Sequence, residues 1–118
     1  MTVYSAIMAA AWGIGGVLLL WMGAKSAKGQ LPRNAFAGIR TTTMMASDEA
    51  WVVGHKAAAG YFTGIGIVLV IAAIACLVVD DSIIGWISIP VVVVLLVGVL
   101  LATRKANVAV AQLPESSA

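Results

Sequence analysis

Asp48, Trp51 and His55 stand at i, i+3 and i+7, the spacing that sets side chains on one face of a helix. A carboxylate and an imidazole on one face are the ingredients of an acid/base pair. Seven residues, however, separate them by about two turns, or ~10 Å along the axis, too far for a direct hydrogen bond. Ser47 comes just before Asp48 and Glu49; its hydroxyl can accept a free N–H of a first helical turn, and the two carboxylates suit the positive end of the dipole. A helix is therefore expected to start at Ser47. No nucleophile elbow or phosphate-cradling loop accompanies these residues. With one cysteine, Cys76, and one histidine, the chain can assemble neither an internal disulfide nor a Cys/His metal site. No catalytic residue, metal or cofactor is expected, and Cys76, inside an apolar run, reads as a packing residue.

Upstream lies LPRNAFAGIRTTT, which has no helical period and is punctuated by Pro32, Asn34 and Gly38. Arg40, followed by three threonines, has the planar fork suited to a carboxylate or phosphate. Asp48 and Glu49 are its nearest acidic partners in sequence. A bridge pinning loop to helix is the plain reading, and direct contact with a ligand or lipid headgroup is the alternative. Phe36 and Ile39 can add apolar anchors, so an ordered loop is expected.

These residues must be positioned by an oily chain. Of 118 residues 62% are hydrophobic and 10% charged, against about 25% charged in soluble domains. Crossing ~30 Å of hydrocarbon takes about 20 apolar residues as helix. Three segments qualify, at about 4–23, 61–79 and 83–102. The Val- and Ile-rich second and third would suggest strands in water, but a lone strand in lipid leaves its backbone unpaired. The expected fold is thus an all-α integral membrane domain over 1–106, with a polar block at 24–60 and a disordered tail at 107–118. Within the block, the segment from Ser47 is expected to form a short amphipathic helix at the membrane surface, with Trp51 dipping into lipid, or else to continue into the second span.

All seven basic residues fall between the first two spans (Lys25, Lys28, Arg33, Arg40, Lys56) or after the third (Arg104, Lys105). The positive-inside rule then puts those ends in the cytoplasm, with the N-terminus and the Asp80/Asp81 turn outside the plasma membrane. No basic residue precedes the first span, so it is expected to be an uncleaved helix rather than a signal peptide. The net charge of +2 does not imply nucleic acid, because apolar runs split the cations. Ala9, Gly13 and Gly16 form a small-residue stripe and Gly60 and Gly64 a GxxxG pair, both read as helix-packing sites. Pro90 is expected to kink the third span. Trp21, Tyr61 and Trp86, near span ends, suit interfacial anchoring.

The run RNAFAGIRTTTMMASDEAWVVGHKAAAG resembles the pattern of the SdpI-like family, an R-N-x-x-x-G-I-R-T-P loop followed by S-D-x-x-W, an H/N-R pair and a glycine. The matching residues are Arg33, Asn34, Gly38, Ile39, Arg40, Thr41, Ser47, Asp48, Trp51, His55 and Gly60. Thr42 replaces the proline and Lys56 the arginine; the lysine keeps the charge and loses the fork. The resemblance implies a three-helix membrane fold with these residues as a partner-binding or structural signature. The family is named for an immunity protein that protects a cell from a secreted killing peptide and holds a repressor at the membrane. That protein carries further helices before the similar region, so the resemblance speaks for fold and topology more directly than for immunity.

The expected function is that of a membrane interaction protein engaging a toxin peptide, a repressor or a larger complex, with lipids around it and self-association open. An accessory subunit of a larger assembly is the alternative. No Asp, Glu, Lys, Arg or His lies within the spans to offer a relay, which makes a pump or ion channel the least expected function.

Overall fold

The computed structural model of the chain describes residues 2–31, 38–39 and 41–113, and Thr42 by its backbone alone. Four helices follow one another: α1 (Val3–Ala27), α2 (Thr42–Met45), α3 (Asp48–Val78) and α4 (Asp81–Ala111). No strand occurs among the described residues. Helices α1, α3 and α4 are each long and apolar enough to cross a membrane.

Local chemistry sets the helix ends. Thr2 and Ser5 form a reciprocal capping box, Ser5 N–H donating to Thr2 Oγ1 at 3.1 Å and Thr2 N–H to Ser5 Oγ at 2.8 Å. At the other end of α1, Gly29 takes φ +67°, and the Gly29 and Gln30 N–H groups bond back to Ser26 and Lys25. That left-handed glycine stop satisfies carbonyls the helix would otherwise leave open. Ser47 caps α3 as its position suggests, its Oγ accepting the Ala50 N–H at 3.0 Å.

Two boundaries differ from expectation, and at a third, one of two alternatives is decided. The first span starts one residue earlier and runs to Ala27, and the helix begun after Ser47 continues unbroken through Gly54 and Gly60 to Val78. Its 31 residues make a rod of about 46 Å, half as long again as the hydrocarbon core. Helix α4 runs to Ala111, so Asn107–Ala111, expected in a disordered tail, are helical. Only Val79 and Asp80 separate α3 from α4, which makes the two an antiparallel hairpin.

Helix α3 is the central element. Against α1 it packs backbone to backbone: a Cβ on Gly16 would lie 2.9 Å from the Gly66 carbonyl oxygen, and one on Gly66 equally close to that of Gly16. A Cβ on Gly13 would stand 3.5 Å from the Ala73 Cβ, so Gly13 continues the expected stripe. The Gly60/Gly64 pair meets no neighbouring helix; nothing lies within 4 Å of where a Cβ on either would stand. Helix α4 rests on the other side of α3. It is tied to α1 by Trp12 Nε1–H donating to Ser88 Oγ at 3.3 Å and by Thr2 Oγ1–H donating to Asp81 at 2.8 Å. The molecule measures 55 × 21 × 19 Å. Its outer surface carries Ile14, Leu18, Ile71, Val93 and Leu100, all exposed, a belt suited to lipid.

Candidate functional site

The polar block gathers at the end of the bundle where α1 stops and α3 starts. Trp51, one turn into α3, is 1% exposed. Its Nε1–H donates to the Leu31 carbonyl at 2.9 Å, just past the end of α1. One turn further, His55 is equally buried and uses both ring nitrogens. Nε2 accepts the Ile39 N–H at 2.8 Å, and Nδ1 lies 2.8 Å from the Trp51 carbonyl. Because a main-chain N–H can only donate, Nε2 carries no proton, and the ring is the neutral Nδ1–H tautomer. The indole and imidazole centroids are 4.0 Å apart, and Phe62 follows at 6.2 Å from His55. Two turns of α3 therefore clamp the main chain at Leu31 and at Ile39.

Gly38 fits this clamp for two reasons. Its φ of +108° is open to glycine and strained for other residues. A Cβ there would also stand 2.5 Å from His55 Nε2 and 3.0 Å from the edge of the Trp51 ring. Beyond it, Thr41 caps α2 by accepting the Met44 N–H at 3.3 Å and donates to Asn107 Oδ1 on α4, also at 3.3 Å. Met44 is fully buried against the bare backbone of Gly54, with Val110 beside it. Met22, Ile39, Phe62, Ala102 and Ala106 complete one apolar cluster that joins α1, the loop, α3 and α4.

Of the sequence-derived site residues, Gly38, Ile39, Trp51 and His55 are in mutual contact and Thr41 lies beside them. Ser47 is the α3 cap, and Asp48 sits exposed in the first turn. Arg33, Asn34 and Arg40 lie outside the described residues. The expected role of Trp51 as a lipid anchor is corrected: protein covers it on every side. Leu31, Met44, Gly54, Phe62 and Asn107 join the site without having been singled out. Gly54 carried the only usable signal, a bare position next to His55 on a helix, whereas the Leu31 carbonyl has no side-chain signature at all.

A cavity of about 400 Å³ opens beside the clamp, bordered by Leu19, Gly38, Ile39, Thr41, Phe62 and Thr103 among others. With both nitrogens of a buried His55 engaged, the arrangement grips the main chain at Leu31 and Ile39, and His55 has no ring nitrogen left over to turn toward the cavity. Neither a curated protein nor a solved structure matches the chain. The model of the SdpI/YfhL protein family does match, over residues 30–103, from the clamped loop through α3 and most of α4, and the chain belongs to that family.

Proposed function

We propose that the chain is a non-enzymatic membrane interaction protein whose clamped loop presents a recognition surface to a peptide or protein partner. The single observation that carries this reading is the clamp: two buried aromatic side chains direct their polar atoms at the main chain of Leu31 and Ile39. A segment gripped at both ends has less ordering to lose on binding, which is the physical use of such grips. Family membership supports protection against a secreted killing peptide, with relay of its presence to a repressor, as the specific role. The seven-to-zero distribution of basic residues supports a plasma-membrane orientation with the loop and C-terminus in the cytoplasm and the N-terminus outside.

The test is survival of cells that express the chain and are challenged with such a peptide. Survival is expected with the natural chain and is expected to be lost in Trp51→Phe and in Arg40→Lys at equal membrane abundance, while Lys25→Gln and Lys28→Gln protect normally. Protection unaffected by Trp51→Phe and Arg40→Lys would overturn the recognition role. A second reading, an accessory subunit, is favoured by the largely uncovered face of α4, where Val92, Val93, Leu96 and Leu100 are exposed. It requires a stoichiometric large partner on extraction from native membranes and no protection.

A further inference from the structure

We infer that the groove between α3 and α4 is a binding site for an anionic phospholipid, with an acyl chain lying over Gly60 and Gly64 and the phosphate held by Lys56, Arg104 and Lys105. This site is separate from the clamp and does not depend on the function proposed for it. The groove encloses about 440 Å³, within the range of about 300–1,000 Å³ typical of ligand sites. Its α3 wall is low because Gly60 and Gly64 have no side chains and nothing lies within 4 Å of where one would be. Ile65, Val68, Val93, Val94 and Val97 line most of what remains, and make the trough largely hydrocarbon. Its floor is tight where the helices meet: a Cβ on Gly98 would stand 2.6 Å from the Ile65 side chain.

The trough has one polar end. Tyr61 and Leu101 belong both to it and to a second cavity of about 330 Å³, whose other walls are Arg104, Lys105 and Val108. Lys105 Nζ stands 5.7 Å from the centre of the Tyr61 ring, a cation set over the junction of the two cavities. Lys56 is exposed one helical turn before Gly60, in line with Gly64. No acidic side chain lines either cavity among the described residues. An apolar trough that ends at Arg104 and Lys105, with Lys56 one helical turn before Gly60, matches a molecule with a hydrocarbon body and an anionic head.

Charge also selects among occupants. A second copy inserted in the same direction would bring its own Lys56, Arg104 and Lys105 to the same depth, so a symmetric helix contact here sets like charges together. A zwitterionic lipid would fill the trough but bring no net charge to the cations. An anionic lipid satisfies both parts, since each Lys or Arg near a phosphate adds to the attraction.

The protein reconstituted into vesicles of equimolar phosphatidylglycerol and phosphatidylcholine, then released into the gas phase for native mass spectrometry, tests this directly. Retention of phosphatidylglycerol over phosphatidylcholine is expected, and the preference should fall by roughly tenfold in Arg104→Gln/Lys105→Gln. Gly64→Leu should lower retention of both lipids; it fills open space, so its helix content and thermal midpoint should match the natural chain, which separates lost binding from lost folding. Equal retention of the two lipids, an undiminished preference in the double variant, or a lipid-free dimer that Gly64→Leu abolishes would each overturn the inference.

Discussion

Replacing Trp51 by phenylalanine keeps a ring in its buried place and removes the indole N–H donated to the Leu31 carbonyl. A buried acceptor left alone costs about 1–3 kcal/mol, so Trp51→Phe should lower the thermal midpoint in detergent and speed proteolysis between Leu31 and Thr41. His55→Leu is expected to act the same way from the other end, stranding the Ile39 N–H. Gly38→Ala adds positive-φ strain of about 1–3 kcal/mol to a contact with His55, and should release the loop while leaving overall helix content unchanged by circular dichroism. The sequence placed Trp51 and His55 on one face of a helix, and they are. What it left open was what covers that face, because an indole next to charged residues before an apolar run is equally suited to lipid and to protein. The deciding partner is a main-chain carbonyl on Leu31, and main-chain atoms are the same in every residue.

Among the elements, the glycines divide into those pressed against a backbone and those facing open space. Gly66→Leu should force α1 from α3, at a cost of about 1–3 kcal/mol or more, and be read as a fall in thermal midpoint. Gly64→Leu should be neutral or slightly stabilising, since a helix interior gains up to about 1 kcal/mol when glycine is replaced and nothing stands in the way. Equal effects of the two changes would contradict the packing of α1 on α3. The three spans were legible from the length of their apolar runs, because lipid demands that length. Which small residues meet was legible for Gly13 and Gly16 and misleading for Gly60 and Gly64, since spacing marks a stripe without saying what lies opposite it. The helical stretch Asn107–Ala111 was obscured by its own polar and small residues. It is held by contacts distant in sequence, Thr41 on Asn107 and Met44 beside Val110.

For the whole molecule, a length of 55 Å against a hydrocarbon core of about 30 Å means that the helices must emerge from the membrane. The proposed orientation can be tested by labelling intact cells with an impermeant thiol reagent. Cys76 is fully buried and can be left in place. A cysteine replacing exposed Ser82 should label, and one replacing exposed Gln30, at the basic end, should not. The reverse pattern would invert the assignment.

The partners of the clamp also carry a timetable. The main-chain groups at Leu31 and Ile39 that Trp51 and His55 hold both precede α3 in the chain, so once α1 and the first turns of α3 have emerged from the ribosome the grip can close. Met44 can settle on Gly54 at the same stage, whereas the contacts that fasten α2 to α4 wait for Asn107 and Val110, some of the last residues of α4 to be made. Synthesis from one end to the other therefore seats the loop first and bolts it down last, and a nascent chain halted before α4 would carry a gripped loop beside an α2 held on its α3 side alone.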